Sequence, residues 1–306
     1  MSDLLPPARA LTVHPGRRPG RRWTTVARGL HHPPGLTALH AWQHVLPASA
    51  AFSHLTAAGL HGWWLPQVPP DLPVLVDQAE ADHRTRRPGV RVTRTTSPVP
   101  VLERDGLRVA VAPHTLLPCA RDLALLDLVV LVDSALRSGC TVPDIEAVCA
   151  PRRRGVVALR RAVALADGRS ESPWESLLRL MHVTLGADVV PQHPVHRASG
   201  ELVARGDLWI TGTTTLHEYD GAVHRDAQQH AADLRRDRAL TSIGWTRRGY
   251  ASGDLRDRPV SVLRDIDDAL GREHVPERVR PWLDLLAAST FTAAGRTRLA
   301  RRLTRP

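Results

Sequence analysis

The sequence predicts a mixed α/β chain of the α+β kind, and three observations predict it. Short runs rich in valine and threonine are bounded by Pro, Gly and Asp, as strands are. Longer stretches carry apolar residues three and four apart, the spacing of a helix with one buried face. At 306 residues and 42% hydrophobic content the chain is long enough for two domains with cores of their own.

The elements follow in order. Residues 1–22, with "PGRRPGRR", offer little apolar surface and read as a disordered basic arm. "GLTALHAWQHVL" places Leu36, Leu39, Trp42 and Val45 on a helical stripe, and "SHLTAAGLHG" reads as a helix capped by Ser53 and stopped at Gly62. "LPVLV", "GVRVTRTT" and "GLRVAVA" read as strands, and helices are expected at about 114–138 and 143–149. Together, residues 23–150 predict a small α+β domain. A helix bearing Val156, Leu159 and Val163 and the polar stretch "ADGRSES" make 151–169 a helix and linker. "SPWESLLRLMHVTLG" is a helix with Ser172 as N-cap, Pro173 in its first turn and Gly186 as its stop. "VVPQHPV", "ELVARGDLWI" and "TTTLHEYD" are three successive strands, a polar helix spans about 226–243, and "WTRRGY" is a weaker closing strand. Residues 269–306 form a helical basic tail ending in "GRTRLARRLTRP".

Composition narrows the function classes. Lys plus Arg number 41 against 31 acidic residues, a formal +10, and all 41 are arginine. Such a charge attracts polyanions, and a genomic bias towards arginine codons gives the same count without selection for binding; both causes stand. No mechanism here can use a lysine. The three cysteines fit neither a zinc pattern nor a paired disulfide framework. "LALLDLVVLVDSAL" is interrupted by Asp127 and Asp133, so no membrane span is expected, and the opening residues lack a signal peptide; the cytoplasm is the expected place.

The chemistry-bearing cluster is "LHEYDGAVH". On a strand, Glu218 and Asp220 share a face because side chains alternate. If the preceding hairpin loop has an even number of residues, Asp207 joins that face; an odd loop sends it to the other. Like charges this close demand a metal ion, an arginine or a proton, so one reading is a hard cation, Mg²⁺ or Mn²⁺, on Asp207, Glu218 and Asp220. The other is a solvated face paired with arginines. Glu175 has two readings as well: a site acid, or the return half of a capping box bonding the Ser172 amide. His224 follows the turn at Gly221 and could move a proton near neutral pH. Arg236, between Asp233 and Asp237, serves either helix-surface pairing or phosphate contact.

The series "ESPWESLLRL", "ARGDLWI", "HEYDGAVH", "DLRRDRALTSIGW" and "GDL", over about 170–268, resembles the domain of unknown function related to the very-short-patch-repair (Vsr) endonucleases, within the PD-(D/E)XK superfamily. "AFSHLTAAGLHGWWLP" is more loosely similar to AbiEi-type antitoxins. The resemblance implies a restriction-endonuclease-like domain, a mixed sheet flanked by helices, that cuts DNA with Mg²⁺ or Mn²⁺. It makes Asp207 the central metal ligand, Glu218 the second acid and Glu175 the helix acid. Asp220 stands where the superfamily has lysine, and His224 takes the proton-transfer role. Arg205, Arg225 and Arg236 become candidates for the DNA backbone. Gly206, His217 and Gly249 depart from the pattern, which implies a retained fold with weakened activity. The rival is a non-catalytic DNA-binding regulator of antitoxin type, with a toxin protein as partner. A glycoside hydrolase is disfavoured by an aromatic content of 4%.

Overall fold

The computed structural model describes residues 20–96, 98–150, 152–221 and 227–304, with backbone alone for 227–233. The fold is α+β, divided into two compact units. One takes in the described parts of Met1–Asp122, Pro143–Val156 and Thr297–Pro306, and the other Leu123–Val142 and Val157–Arg296. The sequence predicts Leu123–Val142 within the 23–150 domain and 269–306 as a separate tail, whereas Leu123–Val142 groups with the second unit and the described part of Thr297–Pro306 with the first. The expected basic arm lies almost wholly outside the described residues.

In the first unit, β1 (Thr24–Ala27) and β2 (Leu30–His32) form a two-stranded ribbon. After α1 (Ala38–Val45) come β3 (Ala51–Phe52), α2 (His54–Leu60), β4 (Val74–Ala79), β5 (Val90–Thr95), β6 (Val101–Arg104) and β7 (Leu107–Ala110). These strands build a mixed sheet in the order β5-β4-β3-β7-β6. Leu30, Trp42, Phe52, Val76 and Val109 fill the core beneath it. The turn between β6 and β7 is Asp105-Gly106, both with positive φ, the dipeptide whose twist suits a two-residue hairpin. The helix expected over 114–138 is two helices, α3 (Ala112–Asp122) and α4 (Leu125–Arg137), separated where Ala124 is extended. The chain changes unit at that break. Most of α5 (Val142–Cys149) returns to the first unit.

The second unit is organised around α4, which is buried from Leu126 to Ala135. The two aspartates that interrupt its apolar run are satisfied. Asp127 accepts from the Ser289 hydroxyl at 2.6 Å and the Thr290 hydroxyl at 2.8 Å. Asp133, wholly buried, pairs with Arg179 at 2.9 Å and accepts the Asp167 amide at 2.8 Å. The "ADGRSES" stretch is therefore fastened to α4 rather than loose. After α6 (Val156–Leu165) and α7 (Pro173–Thr184) come β8 (Val189–His196), β9 (Leu202–Ile210), β10 (Thr215–Tyr219), α8 (Ala227–Thr241) and β11 (Thr246–Tyr250). The sheet order is β11-β10-β9-β8, antiparallel except for the β10–β11 pair. Short α9 (Ser252–Arg256), α10 (Pro259–Ala269) and α11 (Arg280–Ala288) complete the unit before α12 (Ala293–Thr304). Among the described residues no helix is long and apolar enough to cross a membrane.

Alternation on β10 sends neighbouring side chains to different helices. Leu216 packs with Leu240 of α8. His217 turns to α7, where its ring nitrogen lies 2.8 Å from that of His182. His182 in turn donates to the Leu178 carbonyl, and the Tyr250 hydroxyl, 3.3 Å from His217, donates to Asp265. Burial holds both histidines below their usual range, His182 at about 4. Thus the polar residue that departs from an apolar strand position sits in a satisfied, neutral network.

Candidate functional site

The β9–β10 hairpin has the even loop, Thr211–Thr214, and its register pairs Leu216 with Trp209 and His217 with Leu208. One step further, at Asp207, the ladder stops. The Tyr219 amide donates to Asp207 Oδ2 at 2.9 Å, so the carboxylate takes the place of a main-chain acceptor where the two strands part. Gly206 makes this approach feasible: a Cβ there would stand 2.7 Å from the Leu216 side chain, inside contact distance.

Glu175 reaches the same place from the start of α7. Ser172 caps the helix by accepting the Glu175 amide at 3.2 Å, but the return bond differs from the expected box, since Glu175 Oε2 accepts the amide of Glu171 at 2.7 Å. The same oxygen accepts from the Gln192 side chain at 3.0 Å. Gln192 has φ 53° in the middle of β8, opposite the point where the ladder fails at Asp207. Trp174 anchors this end of α7 by stacking on Tyr219, with ring centroids 5.6 Å apart.

Burial raises the Asp207 carboxyl to about 7, and the charges of Glu175 and Glu218 push it the same way against the pull of the Tyr219 amide. Glu218, 4% exposed, is held differently. Arg236 of α8 engages both of its oxygens and also donates to the Arg205 carbonyl at 2.6 Å. Arg247 of β11 donates to Glu218 Oε2 at 2.5 Å and to Asp220 Oδ1 at 2.8 Å. Opposite Glu218 in the parallel ladder stands Gly249, and a Cβ there would collide with the Asp220 carboxylate. The glycine that departs from the resembled pattern is thus what lets Asp220 lean across β11 to share Arg247.

The sequence-predicted residues divide accordingly. Asp207, Glu175 and Glu218 are electrostatically coupled, whereas Glu218 and Asp220 are tied by Arg247. Arg205 makes an exposed pair with Glu171 at 3.1 Å, and Arg236 is committed to Glu218. His224, Arg225 and the Asp233 side chain lie outside the described residues. Sequence reasoning missed Gln192 and Arg247. Neither had a signal: a positive φ at glutamine is not legible in sequence, and Arg247 meets the acids only across the β10–β11 pair.

The trio Asp207, Glu218 and Asp220 does not form a cage: among the described residues no group of three or more His, Cys, Asp or Glu is set to hold a metal ion. A smaller demand is met. Mg²⁺ is usually bound through one or two carboxylates with water and substrate phosphate completing its shell. Asp207 and Glu175 each accept protein hydrogen bonds on a single oxygen among the described residues, leaving Asp207 Oδ1 and Glu175 Oε1 for such an ion.

The chain is 33% identical over 199 residues to the uncharacterized proteins MT2308 and Rv2248, from two strains of Mycobacterium tuberculosis. The match covers 60% of this chain and 73% of each relative. No family model and no solved structure matches it.

Proposed function

We propose, for a chain that belongs to the family of these mycobacterial proteins, that its second unit is a metal-dependent endonuclease-like domain of the restriction-endonuclease kind, directed at the phosphodiester bonds of DNA in the cytoplasm. The observation that carries this reading is Asp207: a carboxyl raised to about 7 in the gap between two strands, beside two further acids, is a group in want of a cation. Asp207 and Glu175 would hold Mg²⁺ or Mn²⁺, with Gln192 occupying Glu175 Oε2. When bound, such an ion supplies Lewis acidity and a water of lowered pKa. Arg247 and Arg236 hold the Glu218 carboxylate in place next to Asp207. Arg205 exchanges its surface partner Glu171 for a phosphate at little cost, since exposed pairs contribute about 0–1 kcal/mol. His224 is the proposed proton carrier.

A second reading is favoured by one observation. Both Glu218 oxygens are already engaged by guanidinium groups, as in a unit that binds DNA without cutting it. The protein would then be an antitoxin-type regulator with a toxin as partner. Nicking of supercoiled plasmid separates the two. The nuclease reading expects Mn²⁺-dependent nicking that disappears in Asp207→Asn; DNA binding with no nicking in either protein favours the regulator.

A further inference from the structure

The first unit carries an arginine-lined groove, independent of the carboxylate site of the second. A groove of about 1440 Å³ runs along the segment between β4 and β5, the end of α3 and the segment after α5. Exposed Arg84, Arg86 and Arg87 form one rim. Sharing Arg91, Arg121, Asp122 and Arg154 with the groove, a recess of about 240 Å³ is lined also by His54. Among the described residues the acids lining the groove are Asp71 and Asp122. Asp122 is already engaged, 3.3 Å from His54 Nε2 and 3.8 Å from Arg91. His54 Nδ1 takes the Leu55 amide at 2.7 Å, so both ring nitrogens are committed and the histidine serves to fix Asp122 rather than to move protons.

The arginines are therefore in excess over their partners. Burial lowers the Arg121 pKa, and Arg153 and Arg154 add to that effect against the opposing pull of Asp77. Guanidinium groups gathered in this way repel one another until an anion is supplied. We propose that this groove binds the phosphate backbone of duplex DNA, with one phosphate in the recess between Arg91, Arg121 and Arg154 and its neighbours along Arg84, Arg86 and Arg87. Two features favour a polymer of this kind. The groove exceeds the roughly 300–1,000 Å³ of small-molecule sites, and among the described residues no aromatic side chain lines it, unlike the stacking platforms that hold single strands.

The test uses the full chain and a fluorescent DNA duplex titrated at several salt concentrations. The triple variant Arg86→Ala, Arg87→Ala, Arg154→Ala removes exposed side chains only. A charge-matched control carries Arg160→Ala, Arg161→Ala and Arg264→Ala, exposed positions of the second unit. The groove variant should bind at least ~10-fold more weakly, with a log K against log salt slope shallower by about 0.9 for each contact removed. The control and Asp207→Asn should retain the wild-type slope, so this proposal and the metal-site reading fail separately. Equal losses in groove variant and control would reduce the effect to net charge and overturn the proposal. So would an unchanged slope in the groove variant. Arginine-dependent binding of pyrophosphate or duplex RNA without binding of duplex DNA would overturn it as well.

Discussion

Arginine does opposite work in the two units. In the second, Arg179, Arg236 and Arg247 are spent on Asp133, Glu218 and Asp220. In the first, the groove arginines crowd together with few acids between them. The formal +10 is thus a poor guide to where a polyanion would bind, because a guanidinium already forked onto a carboxylate has little left to offer a phosphate. Pairing, rather than count, decides which arginines recognise and which hold the fold.

The largest effect that would break this comparison is at Arg179. Its partner Asp133 is wholly buried, and removing one member of a buried pair costs about 3–5 kcal/mol because the other charge is left uncompensated. Arg179→Ala should lower the unfolding midpoint in urea accordingly, while Arg86→Ala, exposed in the groove, should stay within about 0.5 kcal/mol of wild type. Similar losses at the two positions would refute the distinction. Arg247→Ala comes next, at roughly 2–3 kcal/mol, since it strips charge-assisted bonds from the buried Glu218. Gly249→Ala should cost about 1–3 kcal/mol as an overpacked site, by forcing the Asp220 carboxylate off Arg247. If Gly249→Ala is silent, Asp220 does not lean across β11.

The remaining effects concern pH and have opposite signs on the two sides of β10. His182 is held neutral, at about 4 against an ordinary 6.5. Stability of the second unit should fall as pH drops from 6.5 towards 4, because the unfolded chain takes up the proton first. His182→Gln should flatten that loss in thermal melts. Asp207 is held protonated, at about 7 against an ordinary 3.8. Its penalty is absent below 3.8, grows between 3.8 and 7 and is complete above 7. Asp207→Asn should therefore be more stable than wild type at pH 8 and indistinguishable from it near pH 3.8.

Much of the fold was legible because its signals are local. The helix at Ser172 and the three strands β8 to β10 announce themselves through a cap and through runs of strand formers. β3, two residues long, carries too little pattern to be seen. The break between α3 and α4 was hidden because Leu123–Ala124 has helix-forming composition and is extended only as the chain passes from one unit to the other. At the site, the acids were legible from their spacing, whereas their partners were not. Arg247 reaches Glu218 across the parallel β10–β11 pair, and such long-range pairing leaves no mark on the spacing of either segment. Gly206 and Gly249 read as departures from a pattern until the side chains that occupy their missing Cβ positions, Leu216 and Asp220, are seen.

The central claim is that Asp207, with Glu175, is a cation site. Scanning calorimetry at neutral pH on wild type and Asp207→Asn, each with and without Mn²⁺, tests it most directly, because a ligand bound only to the folded state raises its unfolding temperature by mass action. Wild type should rise in Mn²⁺ and Asp207→Asn should not, and the metal-free midpoint of Asp207→Asn should match or exceed that of wild type. Equal shifts in the two proteins, or a metal-free Asp207→Asn that melts well below wild type, would contradict it.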